Sequence, residues 1–243
     1  STTCNNRPIL IKKLINKTKI KNMILEKPLT QSPNELKKLN SLLENIKNVW
    51  VNTDRRCLKV YKYLKKKLNN KKKILIKVKG TSWGICCNSL HFIDLFNFLT
   101  SNQVTLIEEI KVFNWYSSKR KGFKELDNGV LKLRFGIHEL QLNSNKFNGH
   151  NKPVNLSVLN DKYNFSIDEK LNYFHIKSKK KELVFKNEFT SIKMINIVKN
   201  ILLTNKSTLP HYKDSSRLYL PLINFFLNKW KQTNLNSKKV PIT

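Results

Sequence analysis

Alanine does not occur anywhere in this chain of 243 residues, and acids are scarce: 16 Asp and Glu stand against 47 Lys and Arg, a formal net charge of +31. Glycine (6) and proline (7), whose codons like those of alanine are GC-rich, are also few. With 40% hydrophobic residues, one large domain or two small ones can bury a core. The longest apolar stretch, around Leu218 to Leu227, is broken by Pro221 and Asn224. It falls short of the ~18–20 residues that cross a bilayer, so no membrane span is expected. A shortage of acids on this scale makes a compact state repel itself unless a polyanion neutralises it. That disfavours an isolated metabolic enzyme and favours a nucleic-acid partner, with an anionic membrane surface as the weaker rival. Missing alanine beside 41 lysines reads as AT-rich coding DNA and points to an organelle-encoded protein, an AT-rich nuclear genome being the alternative.

Cysteine offers little chemistry. Cys4, Cys57, Cys86 and Cys87 include no C-x-x-C spacing, and adjacent Cys86 and Cys87 do not suit one tetrahedral zinc. Buried thiols in a reducing compartment are expected. The first 25 residues carry no acid and place apolar residues at Ile9, Leu10, Ile11, Leu14, Ile15 and Ile20, similar to a transit peptide or to a basic arm lying on nucleic acid.

Periodicity outlines the elements. Ser32, Pro33 and Glu35 form a capping box ahead of Leu36, Leu39, Leu43, Ile46 and Trp50, predicting a helix over 33–50. Leu58, Tyr61, Leu64 and Leu68 predict a second helix within 55–73, ending in lysine runs that could face phosphates. The period then changes to two at Ile74, Ile76 and Val78, a strand ended by Gly80. A turn over 81–84 leads into Ile85, and Phe92, Ile93, Phe96 and Leu99 predict a helix capped by Asn88 or Ser89. Strands are expected at 110–116, 130–135, 154–159, 173–176 and 183–185, with a helix over 189–203. A 3.6-period face must bury itself on those strands, which makes the chain α+β, with antiparallel or mixed sheets packed on helices.

Several of these segments, taken in order, resemble the large-subunit ribosomal protein L-six family. Glu182-Leu183-Val184-Phe185-Lys186-Asn187 is similar to the family's strand of the T-E-I-V-L-K-G kind. Pro210-His211-Tyr212-Lys213-Asp214-Ser215-Ser216-Arg217-Leu218-Tyr219 resembles its loop P-Y-K-G-K-G-x-R-Y. Val130 to His138 looks like the strand ending in L-x-L-G-F-S-H, and Ile110 to Tyr116 sits where the family has L-x-L-V-G-V-G-Y. Ile76 to Gly80 with Gly84 and Ile85 resembles the hairpin I-x-V-K-G-x-x-G-x-L. Departures include Asp214 and Ser216 in place of the loop glycines, Ser215 for the second lysine, and an arginine one position early. The resemblance implies two small α+β domains, the first reduced: an N-terminal arm over 1–30, a helical extension and reduced domain over 31–107, a second, RNA-binding domain over 108–219, and an extension over 220–243. It implies a structural constituent of an organellar, mitochondrial large ribosomal subunit in the matrix. Its partners would be ribosomal RNA near the translation-factor docking region and neighbouring ribosomal proteins, with no cofactor and no small-molecule substrate.

The residues suit RNA on their own terms. Lys213 and Arg217, with Tyr212, His211 and Tyr219, offer phosphate charge and planar faces for sugars or unstacked bases. Lys119, Arg120 and Lys121 form a basic tip between two strands, and Lys177, Lys179 and Lys180 a second cluster; such clusters give affinity and salt dependence more than sequence reading. Enzymatic patterns are missing. His91, His138, His150, His175 and His211 are scattered, His138-Glu139 lacks a second histidine four residues on, and there is neither a P-loop nor a nucleophile elbow. A homing endonuclease or maturase-like factor is the alternative, with Asp94, Glu108 and Glu109 as the acids to be weighed as metal-holding pairs.

Overall fold

The computed structural model describes residues 3–68, 71–146, 154–169, 173–177, 182–186 and 190–243. Among them are six α-helices and twelve strands, an α+β architecture with a mixed sheet. The Ser32 cap forms as expected, while the reciprocal bond of Glu35 goes to the residue before the cap. Ser32 Oγ accepts from Glu35 N at 3.2 Å, and Glu35 Oε2 accepts from Gln31 N at 3.0 Å. The helix it starts, α2 (Pro33–Leu43), ends before the predicted Trp50. Val49-Trp50-Val51, β-branched and aromatic, instead enters strand β2 (Asn48–Val51), which pairs in parallel with β1 (Asn22–Leu25). β1 follows α1 (Arg7–Lys17), so elements occupy the segment read as a basic arm.

A 3-10 turn (Asp54–Cys57) and α3 (Lys59–Lys67) divide the second predicted helix. β3 (Leu75–Thr81) then becomes an inner strand of the large sheet. β3 pairs in parallel with β8 (His138–Asn145) and antiparallel with β9 (Asn155–Leu159). The order continues outward through β10 (Asn164–Glu169), β11 (Tyr173–Lys177) and β12 (Glu182–Lys186) on one side. On the other lie β7 (Gly129–Phe135) and β4 (Leu106–Lys111). The single expected strand at 110–116 is two, β4 and β5 (Asn114–Ser117), the latter paired with β6 (Lys124–Asp127) in a separate hairpin.

Alternation buries one sheet face. Ile76, Val78, Leu131, Leu133, Leu140, Leu142, Leu156 and Val158 are all at most 1% exposed and join the core that also holds α4 (Ile85–Thr100). The Phe96 ring meets Phe135 edge-on at 4.8 Å, a geometry aromatic quadrupoles favour. Gly129 is required where β7 begins: a Cβ there would lie 2.4 Å from the Phe113 ring. α5 (Thr190–Thr204) matches its predicted span to one residue. α6 (Tyr212–Lys231) runs through the stretch read as an RNA-binding loop and C-terminal extension, Pro221 within it. Val240 and Ile242 of the tail are fully buried, held by Val240 N to Gln31 O at 2.9 Å and Lys124 N to Pro241 O at 2.6 Å. No helix among the described residues is long and apolar enough to cross a membrane.

Candidate active site

The site grows from the carboxyl ends of the two parallel strands β1 and β2, the end of a parallel sheet at which ligands commonly bind. After β1 come Glu26, Lys27 and Pro28, the Lys27–Pro28 peptide being cis. After β2 come Asn52, Thr53 and Asp54. Asn52 N donates to Leu25 O at 2.8 Å and Asn52 Nδ2 to Glu26 Oε1 at 2.8 Å, so the two strand ends are tied side by side. Buried Arg7 of α1 donates to the carbonyls of Pro28 and Leu29. Tyr219 Oη donates to Thr30 O at 2.6 Å. The loop bearing Lys27 is thereby fixed by its backbone, leaving the ammonium group to reach outward.

It reaches α4. Lys27 Nζ donates to Asn88 Oδ1 at 2.8 Å and lies 3.3 Å from Cys87 Sγ. Asn88 is oriented in turn by donating Nδ2 to Trp83 O at 2.8 Å. α4 begins after Gly84, in the left-handed region at φ 73°, where a side chain would be strained. The expected Asn88 or Ser89 cap does not form; the orphan N–H groups of the first turn are met from a distant strand. Glu125 of β6 accepts from Cys86 N at 2.7 Å and Cys87 N at 3.1 Å, placing a carboxylate at the positive end of the helix dipole.

His91 lies one turn beyond Cys87 on the same face, 9% exposed. Its Nδ1 has no hydrogen-bond partner, the Asp54 carboxylate standing 3.9 Å away. Asn52 Oδ1 is likewise buried and unmet. Two orphaned polar atoms where a lysine converges leave places for a ligand's polar groups. Burial first, then the charges of Arg55, Lys27 and Lys193, hold the His91 imidazole well below its ordinary pKa, so it is neutral at pH 7.

Burial is also what pushes the Glu125 carboxyl up to about 7, with its two backbone bonds and Lys27 pulling down. The folded protein therefore holds that proton more tightly than the unfolded chain between about pH 4.5 and 7. Glu125's contribution to stability grows as pH falls through that window and is lost as pH rises through 7. His91 acts oppositely: its depressed pKa withdraws stability as pH falls below about 6.5. Comparing urea midpoints of the wild type and Glu125→Gln at pH 5 and pH 8 isolates the carboxyl. The variant should gain on the order of 2–3 kcal/mol relative to wild type at pH 8 over its standing at pH 5. An equal difference at both pH values would refute the assignment.

The residues singled out for RNA lie elsewhere. Tyr212 is buried, its hydroxyl donating to Asn40 Oδ1 at 2.6 Å, and Tyr219 is fully buried; neither presents a face to RNA. His211 caps α6, Nδ1 accepting from Lys213 N at 3.3 Å and Nε2 standing 2.9 Å from Lys47 O. Lys213 and Arg217 are exposed one helical turn apart. Lys119, Arg120 and Lys121 sit at the exposed tip of the β5–β6 hairpin, with Arg120 Nη1 donating to Thr243 Oγ1 at 3.2 Å. Lys177 ends β11 and pairs with Glu182 at 3.6 Å; Lys179 and Lys180 lie outside the described residues. The five α6 positions, the hairpin tip and Lys177 stand on three separate elements. Asp94 is engaged by Arg56, Glu108 by Lys132 and Glu109 by Lys229, so these acids are bound up in ion pairs. Among the described residues no group of three or more His, Cys, Asp or Glu could hold a metal ion.

The sequence alone does not single out Lys27, Asn52 or Asp54, and it reads His91 as a structural or RNA-facing histidine. The available signal was the apolar Met23 to Leu25 run, ending abruptly in Glu26-Lys27-Pro28.

No family model matches the chain, and no curated protein matches it. Solved structures do. UDP-N-acetylglucosamine 3-dehydrogenase GnnA from Acidithiobacillus ferrooxidans aligns with a TM-score of 0.70 at 12% identity, over 98% of this chain and 76% of that one. A dehydrogenase (MviM) from Clostridium difficile aligns with 0.66 at 16%, over 93% and 77%. The super-repressor mutant of Gal80p from Saccharomyces cerevisiae aligns with 0.68 at 12%, over 98% and 77%. These likenesses overturn the ribosomal resemblance and with it the expected structural role in a large ribosomal subunit, and they give the endonuclease alternative no support. The expectation of a non-enzyme falls too, since proteins described as dehydrogenases carry this fold. At these identities the likeness establishes a shared fold and nothing more.

Proposed function

We propose that the chain carries the substrate side of an oxidoreductase-type site, a cleft for a small hydroxyl- or carbonyl-bearing molecule held by Lys27, Asn52, Asn88 and His91. The carrying observation is the convergence of Lys27 on Asn88 and Cys87, beside His91 with its unmet Nδ1. In this reading Lys27 donates to a ligand oxygen and stabilises charge that develops there. The neutral His91 imidazole exchanges a proton with a neighbouring hydroxyl. Asn52 Oδ1 accepts from a further ligand group.

A dehydrogenase also needs a hydride acceptor such as a nicotinamide. Parallel sheets cradle its pyrophosphate in a G-x-G-x-x-G turn. The glycines at 80, 84, 122, 129, 136 and 149 contain no such spacing. The residues present do not fit that group. The same observation favours a second reading, a small-molecule-binding protein without turnover.

Thermal denaturation against a panel of polyols, aldoses and their phosphorylated forms tests the common core of both. A member present at about 100 times its Kd should add roughly 2.7 kcal/mol of stability to the wild type. His91→Asn should lose most of that gain. A panel without any stabilising member, or one that stabilises His91→Asn equally, would sink the proposal.

A further inference from the structure

Cys87 brings a nucleophile to the proposed site. It is half-buried in the first turn of α4, and its Sγ lies 3.3 Å from Lys27 Nζ. Asn88 Oδ1 takes a bond from the same ammonium at 2.8 Å, which fixes the charge beside the sulfur. With Nζ and Sγ this close, an oxygen bonded to the atom that the sulfur attacks falls within reach of Nζ. Four residues on and on the same helix face stands His91. It is 9% exposed, and its Nδ1 has no hydrogen-bond partner among the described residues. A thiol, a neutral imidazole one turn along the helix and a fixed cation are the parts that nucleophilic addition to a carbonyl requires: attacking atom, base, and holder of the negative charge that develops on oxygen. The other three thiols are placed differently. Burial pushes Cys4 up to about 12 and raises Cys57 and Cys86 as well, which keeps them protonated and slow to react.

We propose that Cys87 captures the carbonyl end of the ligand as a reversible thiohemiacetal, so that the ligand class is an aldehyde with neighbouring hydroxyls, an open-chain short sugar being the simplest. The inference rests on the proposed function for the position of the carbonyl oxygen at Lys27, and on Cys87 and His91 for the bond itself. His91 takes the proton as the S–H bond breaks. The sulfur pair forms the S–C bond, and the π pair of the C=O bond moves onto the oxygen held by Lys27. That oxygen then receives the proton back from His91. The thiol has been added across the double bond; nothing is oxidised or reduced, and no co-reactant is consumed. The step therefore does not call on a nicotinamide. Asn52 Oδ1, buried and unmet, accepts from a hydroxyl further along the ligand.

Glyceraldehyde and glycerol, alike except for the carbonyl, are the probes, titrated into the full chain. The wild type should bind glyceraldehyde at least about tenfold more tightly than glycerol. Cys87→Ser should cut that preference to about twofold or less and leave glycerol affinity unchanged, while Cys57→Ser should alter neither. Glyceraldehyde isotopically labelled at its carbonyl carbon should give an NMR signal of a tetrahedral, sulfur-bound carbon with the wild type and none with Cys87→Ser, and His91→Asn should slow its appearance. Unaltered thermal melting of the two cysteine variants keeps folding out of the comparison. Equal binding of the two probes, or a preference that survives Cys87→Ser, would overturn the inference and leave the cleft at Lys27 standing. An adduct trapped by borohydride on Lys27 would also overturn it, since the lysine would then be the nucleophile and would have expelled water to form an imine. Binding of neither probe overturns it too; whether the site falls with it is then read from the polyol and aldose panel.

Discussion

Asp94→Ala should cost about 3–5 kcal/mol of folding stability, a large share of the ~5–15 kcal/mol that a domain commonly has. Asp94 sits in the middle of α4 with no exposure and receives two bonds from Arg56, Nε at 2.8 Å and Nη2 at 2.6 Å. Removing the carboxylate leaves a guanidinium, 17% exposed, without its counter-charge. The 3-10 turn that carries Arg56 also carries Asp54 and Arg55, which bind Lys193 and Glu169, so the damage would spread across the join between α4 and the large sheet. The pair is nonetheless no net gain over apolar packing. Burial pushes the Asp94 carboxyl up to about 6 despite Arg56, which means desolvation outweighs attraction. The double variant Asp94→Leu/Arg56→Met should therefore recover most of the loss. Urea midpoints of the three variants at pH 7 decide it; a double variant as unstable as Asp94→Ala would show that the charges themselves hold the fold.

That ion pair illustrates what the sequence could and could not convey. Local patterns were legible: the capping box of α2, the alternation of β3, β7 and β9, and the 3.6-period face of α5 follow from neighbouring residues alone. The boundary errors have a common origin in tertiary context. Trp50 sits at helical spacing from Leu43 and Ile46, yet its β-branched neighbours pair with β1, and a parallel partner 26 residues away leaves no local mark. The α6 helix is hidden because Pro210, Asp214, Ser215, Ser216 and Pro221 read as a loop; burial of Leu218, Tyr219, Leu222, Ile223 and Phe226 along one face overrides those propensities.

The site was less legible still. Lys27 was one lysine among 41, and its distinction is positional, conferred by Arg7 and Tyr219 gripping the carbonyls around it. The Glu125 cap on α4 joins residues about 40 apart. Charge count is no guide to it either: a net +31 does not tell Lys27 from the other lysines.

Lys27→Met should weaken ligand binding at the proposed site roughly 10- to 150-fold, the worth of a charge-assisted hydrogen bond to a ligand oxygen. It should leave the fold nearly untouched. Lys27 is partly exposed, and Asn88 retains its bond to Trp83 O when the ammonium is removed, so the stability cost should stay below about 1 kcal/mol. Two neighbours supply readouts that a merely structural lysine would not move. The Lys27 charge contributes to holding the His91 imidazole down and to pulling the Glu125 carboxyl down. Without it, His91 should titrate closer to its ordinary value, seen in the imidazole NMR shifts. Glu125 should move further up, extending to higher pH the window in which its protonation stabilises the fold. Lys27→Arg keeps the charge and should leave both titrations nearly unchanged while still impairing binding, because a planar guanidinium does not replace a compact ammonium donor. Binding lost in both variants with the titrations moved only in Lys27→Met would identify Lys27 as a ligand-contacting donor whose charge tunes His91 and Glu125. Titrations unmoved in Lys27→Met would mean that the three groups do not share a site.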